Sequence, residues 1–215
     1  MKRTYLFDFD GTLVDSMPAY IGGMLKILDG YNVKYENEIV KIITPLGFNG
    51  TAEYYLKTFG LKTTKADLLK QMQDNMIDEY FYNILPKEGV VETLKTLKAQ
   101  GHSLNVLTAS PHITLDACLK RIGIYDLFDN VWSCDDFATT KADPTIYQKS
   151  AERLGVNVSD VLFLDDNINA DKTAKVAGMK VCGVYDKTSD DYVEEMKKAT
   201  DFYIFNFKEL LNIEF

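Results

Sequence analysis

Five short apolar runs, at residues 5–9, 104–108, 130–134, 161–164 and 180–184, constrain this chain more than any other feature. Each is too short for a buried helix, and the pattern between them is helical. Residues 90–100 carry apolar positions at helical spacing and stop at Gly101; 111–121 close at Gly123; 144–154 and 169–177 end at Gly155 and Gly178. Ser110-Pro111 and Asp143-Pro144 each read as an N-cap followed by a first-turn proline. Late helices are expected over 190–199 and 207–211. Strand and helix in alternation predict an α/β fold, a Rossmann-like parallel sheet flanked by helices on both faces.

Residues 16–85 break that alternation. They lack a strong strand signal and read as helices over 18–28, 37–43, 51–59 and 65–82, punctuated by Gly30, Pro45-Leu46-Gly47 and Gly60. The stretch interrupts the pattern directly after the first strand, which predicts an inserted α-helical cap domain. The expected division is therefore a core of 1–15 and 86–215 with a cap of 16–85. A chain of 215 residues suits one domain carrying such an insertion.

Ligands of an open α/β sheet bind beyond the carboxyl ends of its strands, so the residues at those ends decide the chemistry. The first run leads to Asp8 and Asp10, the second ends at Thr108-Ala109-Ser110, the weak 130–134 run precedes a loop with Lys141, and 161–164 is followed by Asp165 and Asp166. Acids, a hydroxyl and an amine on one rim suit phosphoryl transfer. A carboxylate can attack phosphorus, a hydroxyl and an ammonium can hold the non-bridging oxygens, and Mg2+ lets clustered carboxylates accept a phosphate instead of repelling it. Residues i and i+2 of an extended strand share a side, so Asp8 is assigned the attack and Asp10 the proton for the leaving oxygen. Gly11 lets the backbone turn away without a side chain, and Gly11, Thr12, Ala109 and Ser110 are the expected substrate contacts.

The run Asp8-Phe9-Asp10-Gly11-Thr12-Leu13-Val14-Asp15-Ser16 resembles the signature of the haloacid dehalogenase-like hydrolase superfamily. The resemblance extends through 104–108 ending in Thr108, through Lys141-Ala142-Asp143-Pro144, and through 161–166 ending in two acids. It implies that Asp8 is the nucleophile and Asp10 the acid and base, with Thr108 and Lys141 on the phosphoryl group. It further implies Mg2+ held by Asp8, the backbone carbonyl of Asp10, and Asp166. Counting back from Ala177-Gly178 puts Asp165 where the family usually has glycine and Ala170 where a second acid is common, so Asp165 and Asp171 are further candidate ligands beside Asn169. A helical cap in this place is typical of the subfamily of phosphoglycolate phosphatases, β-phosphoglucomutases and haloacid dehalogenases. The turn Pro45-Leu46-Gly47-Phe48-Asn49-Gly50 is the candidate for meeting the leaving group, with Gly47 as its substrate contact.

The expectation is a Mg2+-dependent phosphatase of a small phosphorylated metabolite, a monomer or homodimer, working through an aspartyl phosphate. The rivals are a sugar-phosphate mutase, a dehalogenase, against which Asp10 argues, and a phosphorylation switch, which would have no use for the cap. A net charge of −8 opposes general affinity for nucleic acid or anionic membrane. No run approaches the ~18 apolar residues of a membrane span. Cys118, Cys134 and Cys182 lack metal spacing and read as reduced thiols, and the charged opening does not read as a signal peptide; the expected location is the cytoplasm.

Overall fold

The computed structural model describes residues 2–215, apart from the side chain of Pro45. The chain forms two compact units, one of Met1–Asp15 with Leu85–Phe215 and the other of Ser16–Ile84. Leu85 belongs with the first unit, where its carbonyl accepts the Asp15 N–H at 2.9 Å.

Strand β1 (Thr4–Phe7) opens the first unit and is buried along its whole length. The second unit follows as α1 (Met17–Gly30), α2 (Ile39–Ile43), α3 (Gly47–Phe59) and α4 (Lys65–Asp78). Its apolar faces meet in a core that includes Met24, Leu28, Ile43, Tyr55, Leu68 and Met72. Thr64 caps α4 by accepting the Asp67 N–H, and a π-helical turn at Glu79–Asn83 ends it. The expected turn over 45–50 is largely helical instead: a 3-10 turn at Thr44–Leu46 leads directly into α3 at Gly47. A φ of 63° at Gly47 permits that junction without a loop.

The first unit continues as α5 (Val90–Ala99), β2 (Ser103–Thr108), α6 (His112–Arg121), β3 (Asn130–Ser133), α7 (Thr145–Leu154), β4 (Val161–Asp165), α8 (Ile168–Ala177), β5 (Lys180–Val184), α9 (Val193–Ala199) and β6 (Phe202–Ile204). All strand pairs are parallel, in the order β3-β2-β1-β4-β5-β6. The expected α/β fold with a helical insertion is therefore the observed one. Phe202–Ile204 adds an edge strand that the sequence pattern did not suggest, and Phe207–Asn212 is a 3-10 helix rather than an α-helix.

The direction of strand succession reverses at β1, which has β2 on one side and β4 on the other. A crevice opens beyond the carboxyl ends of two strands at such a switch point. The core beneath it includes Leu6, Leu107, Phe163 and Val181 from the sheet and Ile146, Tyr147, Ala174 and Ala177 from the helices. Burying aliphatic side chains of this size stabilises by roughly 1.5–3 kcal/mol each, which holds the strand ends rigid under the groups they carry. Among the described residues, no helix is long and apolar enough to cross a membrane.

Candidate active site

Asp8 is the first residue beyond β1. Its N–H donates to the Leu164 carbonyl at 2.8 Å, so the ladder with β4 continues one step past the strand. That step brings Asp8 beside Asp165 and Asp166 at the end of β4, and one carboxylate oxygen from each of the three lies within 4.8 Å of the others. All three are buried, with Asp165 fully so. The Lys141 ammonium donates to Asp8 Oδ1 at 2.5 Å and to Asp165 Oδ2 at 2.7 Å. The other oxygen of Asp165 accepts the Asn167 N–H at 2.8 Å. Asp166 Oδ1 accepts from the Thr12 hydroxyl at 3.3 Å.

Lys141 comes from a loop rather than a strand end, yet it is held firmly. The Tyr147 hydroxyl on α7 reaches the Lys141 carbonyl at 3.0 Å and the Ala170 carbonyl at 3.2 Å. The Tyr147 ring meets Phe163 edge-on at 5.0 Å, tying that hydroxyl to the sheet. A tyrosine thus anchors the Lys141 loop to the sheet.

Asp8 and Asp10 both lie past the end of β1. β1 ends at Phe7, and residues 9–14 fold into a tight turn in which the Leu13 and Val14 N–H groups both point to the Phe9 carbonyl. Asp8 therefore faces Lys141, while Asp10 Oδ2 accepts from the Ser110 hydroxyl at 2.5 Å. Ser110 is not the cap of α6, as its place before Pro111 suggests; that position falls on Pro111, and the hydroxyl serves Asp10 instead. The Ser110 N–H in turn donates to Thr108 Oγ1 at 3.1 Å, and Thr108 is buried at the end of β2. Gly11 has φ 73°, and a Cβ there would lie 2.4–2.8 Å from the Asp166 carboxylate. Only glycine lets the turn lie this close to that acid.

Burial pushes the Asp8 carboxyl up to about 8; Lys141 opposes that rise, and Asp165 and Asp10 add to it. Burial also raises Asp166, helped by Asp165, Asp8 and Asp186 and opposed by Lys87. Burial by itself would drive the Lys141 ammonium down, but Asp165 and Asp8 overcome this and keep it well above the ordinary range. One ammonium thus faces more buried acid than it can neutralise, and Asp8 and Asp166 both give up their protons less readily than free carboxyls. A hard divalent cation with oxygen ligands suits such a set.

The remaining candidates are dispersed. Ala109 is exposed beside Thr108. Gly47 lies in the other unit, at the start of α3. Asn169 is exposed. Outside the candidate set, His112 at the start of α6 is taken up by two acids, Asp116 at 3.0 Å and Asp136 at 2.8 Å, whose hydrogen bonds raise its imidazole. Asp171 lies outside the group of three; it is fully buried, and among the described residues neither of its oxygens has a hydrogen-bond partner. Burial, then Asp165 and Asp166, raises its carboxyl well above the usual range.

The cost of Asp171 gives a testable expectation. A carboxyl raised in the folded state costs nothing below its unfolded value near 4, and its cost grows as pH rises toward the folded value. Asp171→Leu removes both the titration and an unsatisfied polar group worth roughly 1–3 kcal/mol. At ~2–4 °C per kcal/mol for a chain of this size, the metal-free protein should melt several degrees higher. Thermal scans should show a larger gain near pH 8 than near pH 5; a loss at both would mean that the carboxyl supports the fold.

Sequence reasoning missed Lys87. Its ammonium reaches Gly11, Tyr185 and Asp186 within unit one, yet it sits in a linking segment with no motif around it, where a lysine reads as a solvated surface residue.

The profile of the haloacid dehalogenase-like hydrolases matches residues 5–184 of this chain. The chain is 32% identical to the pyrophosphatase PpaX of Bacillus velezensis over 190 residues, covering 83% of this chain and 81% of that protein. It is 26% identical to the putative phosphatase YhcW of Bacillus subtilis, covering 94% of each. Among solved structures, a predicted phosphoglycolate phosphatase from Haemophilus somnus superposes with a TM-score of 0.82 at 23% identity, covering 98% of this chain and 97% of the other. A putative β-phosphoglucomutase from Thermotoga maritima superposes with a TM-score of 0.76 at 23% identity, covering 99% and 97%. At that identity the two structures speak to the fold.

Proposed function

We propose that this chain, which belongs to the haloacid dehalogenase-like hydrolase family, is a Mg2+-dependent phosphatase of a small phosphorylated metabolite. The observation that carries the reading is the buried contact of Lys141 with Asp8 and Asp165, with Asp166 alongside, at the sheet's switch point. The relatives named as phosphatases and pyrophosphatases support the same reaction class.

The donor set fits the metal: three buried carboxylates lie within reach of one another, and burial, then neighbouring acids, raises two of them, Asp8 and Asp166. Asp8, the Asp10 carbonyl and Asp166 would hold Mg2+, with Asp165 committed to Lys141 and to the Asn167 amide. When bound, Mg2+ supplies charge neutralisation at the phosphoryl oxygens and lets the acids ionise together. Asp8 attacks phosphorus, and the bond from phosphorus to the leaving oxygen breaks. Asp10 gives its proton to that oxygen. Asp10 then takes a proton from the water that attacks the aspartyl phosphate, and inorganic phosphate and the Asp8 carboxylate are released. Ser110 holds the Asp10 carboxyl through both steps. Thr108 and Lys141 brace the non-bridging oxygens. The role we assign to the helical unit Ser16–Ile84 is the one the family resemblance implies, that of a cap domain.

A panel of pyrophosphate, phosphoglycolate, a hexose 1-phosphate and a nucleotide tests this. Phosphate release is expected with Mg2+ and should disappear with excess chelator. Release that survives the chelator, or no release from any member, would overturn the reading. Isomerised hexose phosphate in place of free phosphate would indicate a mutase.

A further inference from the structure

The link that sequence reasoning missed carries a second role. The chain re-enters the first unit at Leu85, and the Lys87 N–H donates to the Leu13 carbonyl at 3.0 Å, which aims its side chain inward. There the ammonium donates to the Gly11 carbonyl at 2.7 Å, the Tyr185 carbonyl at 2.6 Å and Asp186 Oδ2 at 3.0 Å. An ammonium has three protons, and each has an acceptor. Asp186 is fixed in turn: its other oxygen accepts from the Thr188 N–H at 2.9 Å and the Thr188 hydroxyl at 2.6 Å. Lys87 thereby ties the turn after β1 to the loop after β5, the two strands that flank β4, at whose end Asp166 follows.

We propose that Lys87 is a positioning residue for the divalent-cation site: by holding the Gly11 carbonyl it keeps the 10–12 turn seated against Asp166. The proposal rests on the reading that Asp8, the Asp10 carbonyl and Asp166 hold Mg2+. Gly11 has no spare room against the Asp166 carboxylate, and Thr12 donates to that same carboxylate. The Gly11 carbonyl is one peptide from the Asp10 carbonyl, so a shift at one reorients the other. Lys87 has no donor left for the acids themselves, and Asp186 balances its charge. Its effect on a cation is therefore geometric. Partners that orient metal ligands in this way are commonly worth ~10–100-fold in affinity.

The double variant Lys87→Met/Asp186→Asn keeps the local net charge and removes the tie. Mn2+ is the probe, titrated against metal-free protein and followed by the loss of free Mn2+ signal in electron paramagnetic resonance. The wild type should bind Mn2+ and Asp166→Asn should not. The double variant should bind about tenfold more weakly, with KM for the phosphoester unchanged at saturating Mg2+. Wild-type Mn2+ affinity in the double variant, with only a lower melting temperature, would reduce Lys87 to a structural tie and overturn the proposal. No Mn2+ binding by the wild type would overturn the underlying reading instead. Should the double variant not fold, Lys87→Gln replaces it: one amide cannot serve three acceptors, so weaker binding is again expected and wild-type affinity again overturns the proposal.

Discussion

Asp8→Asn is expected to reduce phosphate release by about 10^4-fold or more, the scale on which removal of a covalent nucleophile acts. The amide is close in shape to the carboxylate but cannot attack phosphorus. The same substitution should not unfold the protein, and that sets it apart from a merely disruptive change. Asp8 is held up at about 8 in the folded state, chiefly by burial. A group raised in this way leaves stability intact below its unfolded value near 4, and stability is lost as pH climbs through the folded value. Metal-free wild type should therefore weaken between about pH 4 and pH 8, and Asp8→Asn should show a shallower decline over that window. Steady-state phosphate release with Mg2+, together with urea unfolding in chelator across that range, measures both. Activity within tenfold of wild type would remove Asp8 from the role of nucleophile.

The frame of this site is legible in sequence because parallel strands buried on both faces must be short and apolar. Residues such as Asp8, Thr108 and Asp165 are conspicuous because they end such runs. The edge strand Phe202–Ile204 escapes notice for the opposite reason: with three residues, two of them partly exposed, it has no continuous apolar signature. The arrangement of Asp8 and Asp10 is also hidden. A period-two argument requires the strand to continue, and it stops at Phe7, where the Gly11 turn takes over and sends the two carboxyls to different partners. The pairing of Asp165 with Lys141 joins residues 24 apart, and the Lys87 tie joins residues 76 and 99 apart. Local pattern reports which face of an element is buried. It is silent on which long side chain crosses from one loop to another, and both lysines in this site do that.

Lys141→Met carries the largest combined effect on activity and stability. The ammonium is the shared partner of two buried carboxylates. Removing one member of a buried ion pair typically costs ~3–5 kcal/mol, because the charge left behind has lost its partner. For a chain of this size that corresponds to a drop of roughly 10 °C in melting temperature. Activity should fall about 10^3-fold, since the same group is expected to brace the phosphoryl oxygens in the transition state. Lys141→Arg should not restore it: a planar guanidinium on a longer reach cannot occupy a position 2.5 Å from one acid and 2.7 Å from the other inside a packed core. The pH dependence gives the sign. Lys141 opposes the rise of Asp8, so without it Asp8 holds its proton more strongly in the folded state, and the folded protein is weakened more as pH rises. The stability deficit of Lys141→Met in chelator should therefore be larger near pH 8 than near pH 5, where Asp8 is closer to neutral and has less need of a cation. Paired urea titrations at the two pH values decide the matter: an equal deficit at both would mean that Lys141 contributes packing alone, and that Asp8 keeps its ionisation by other means.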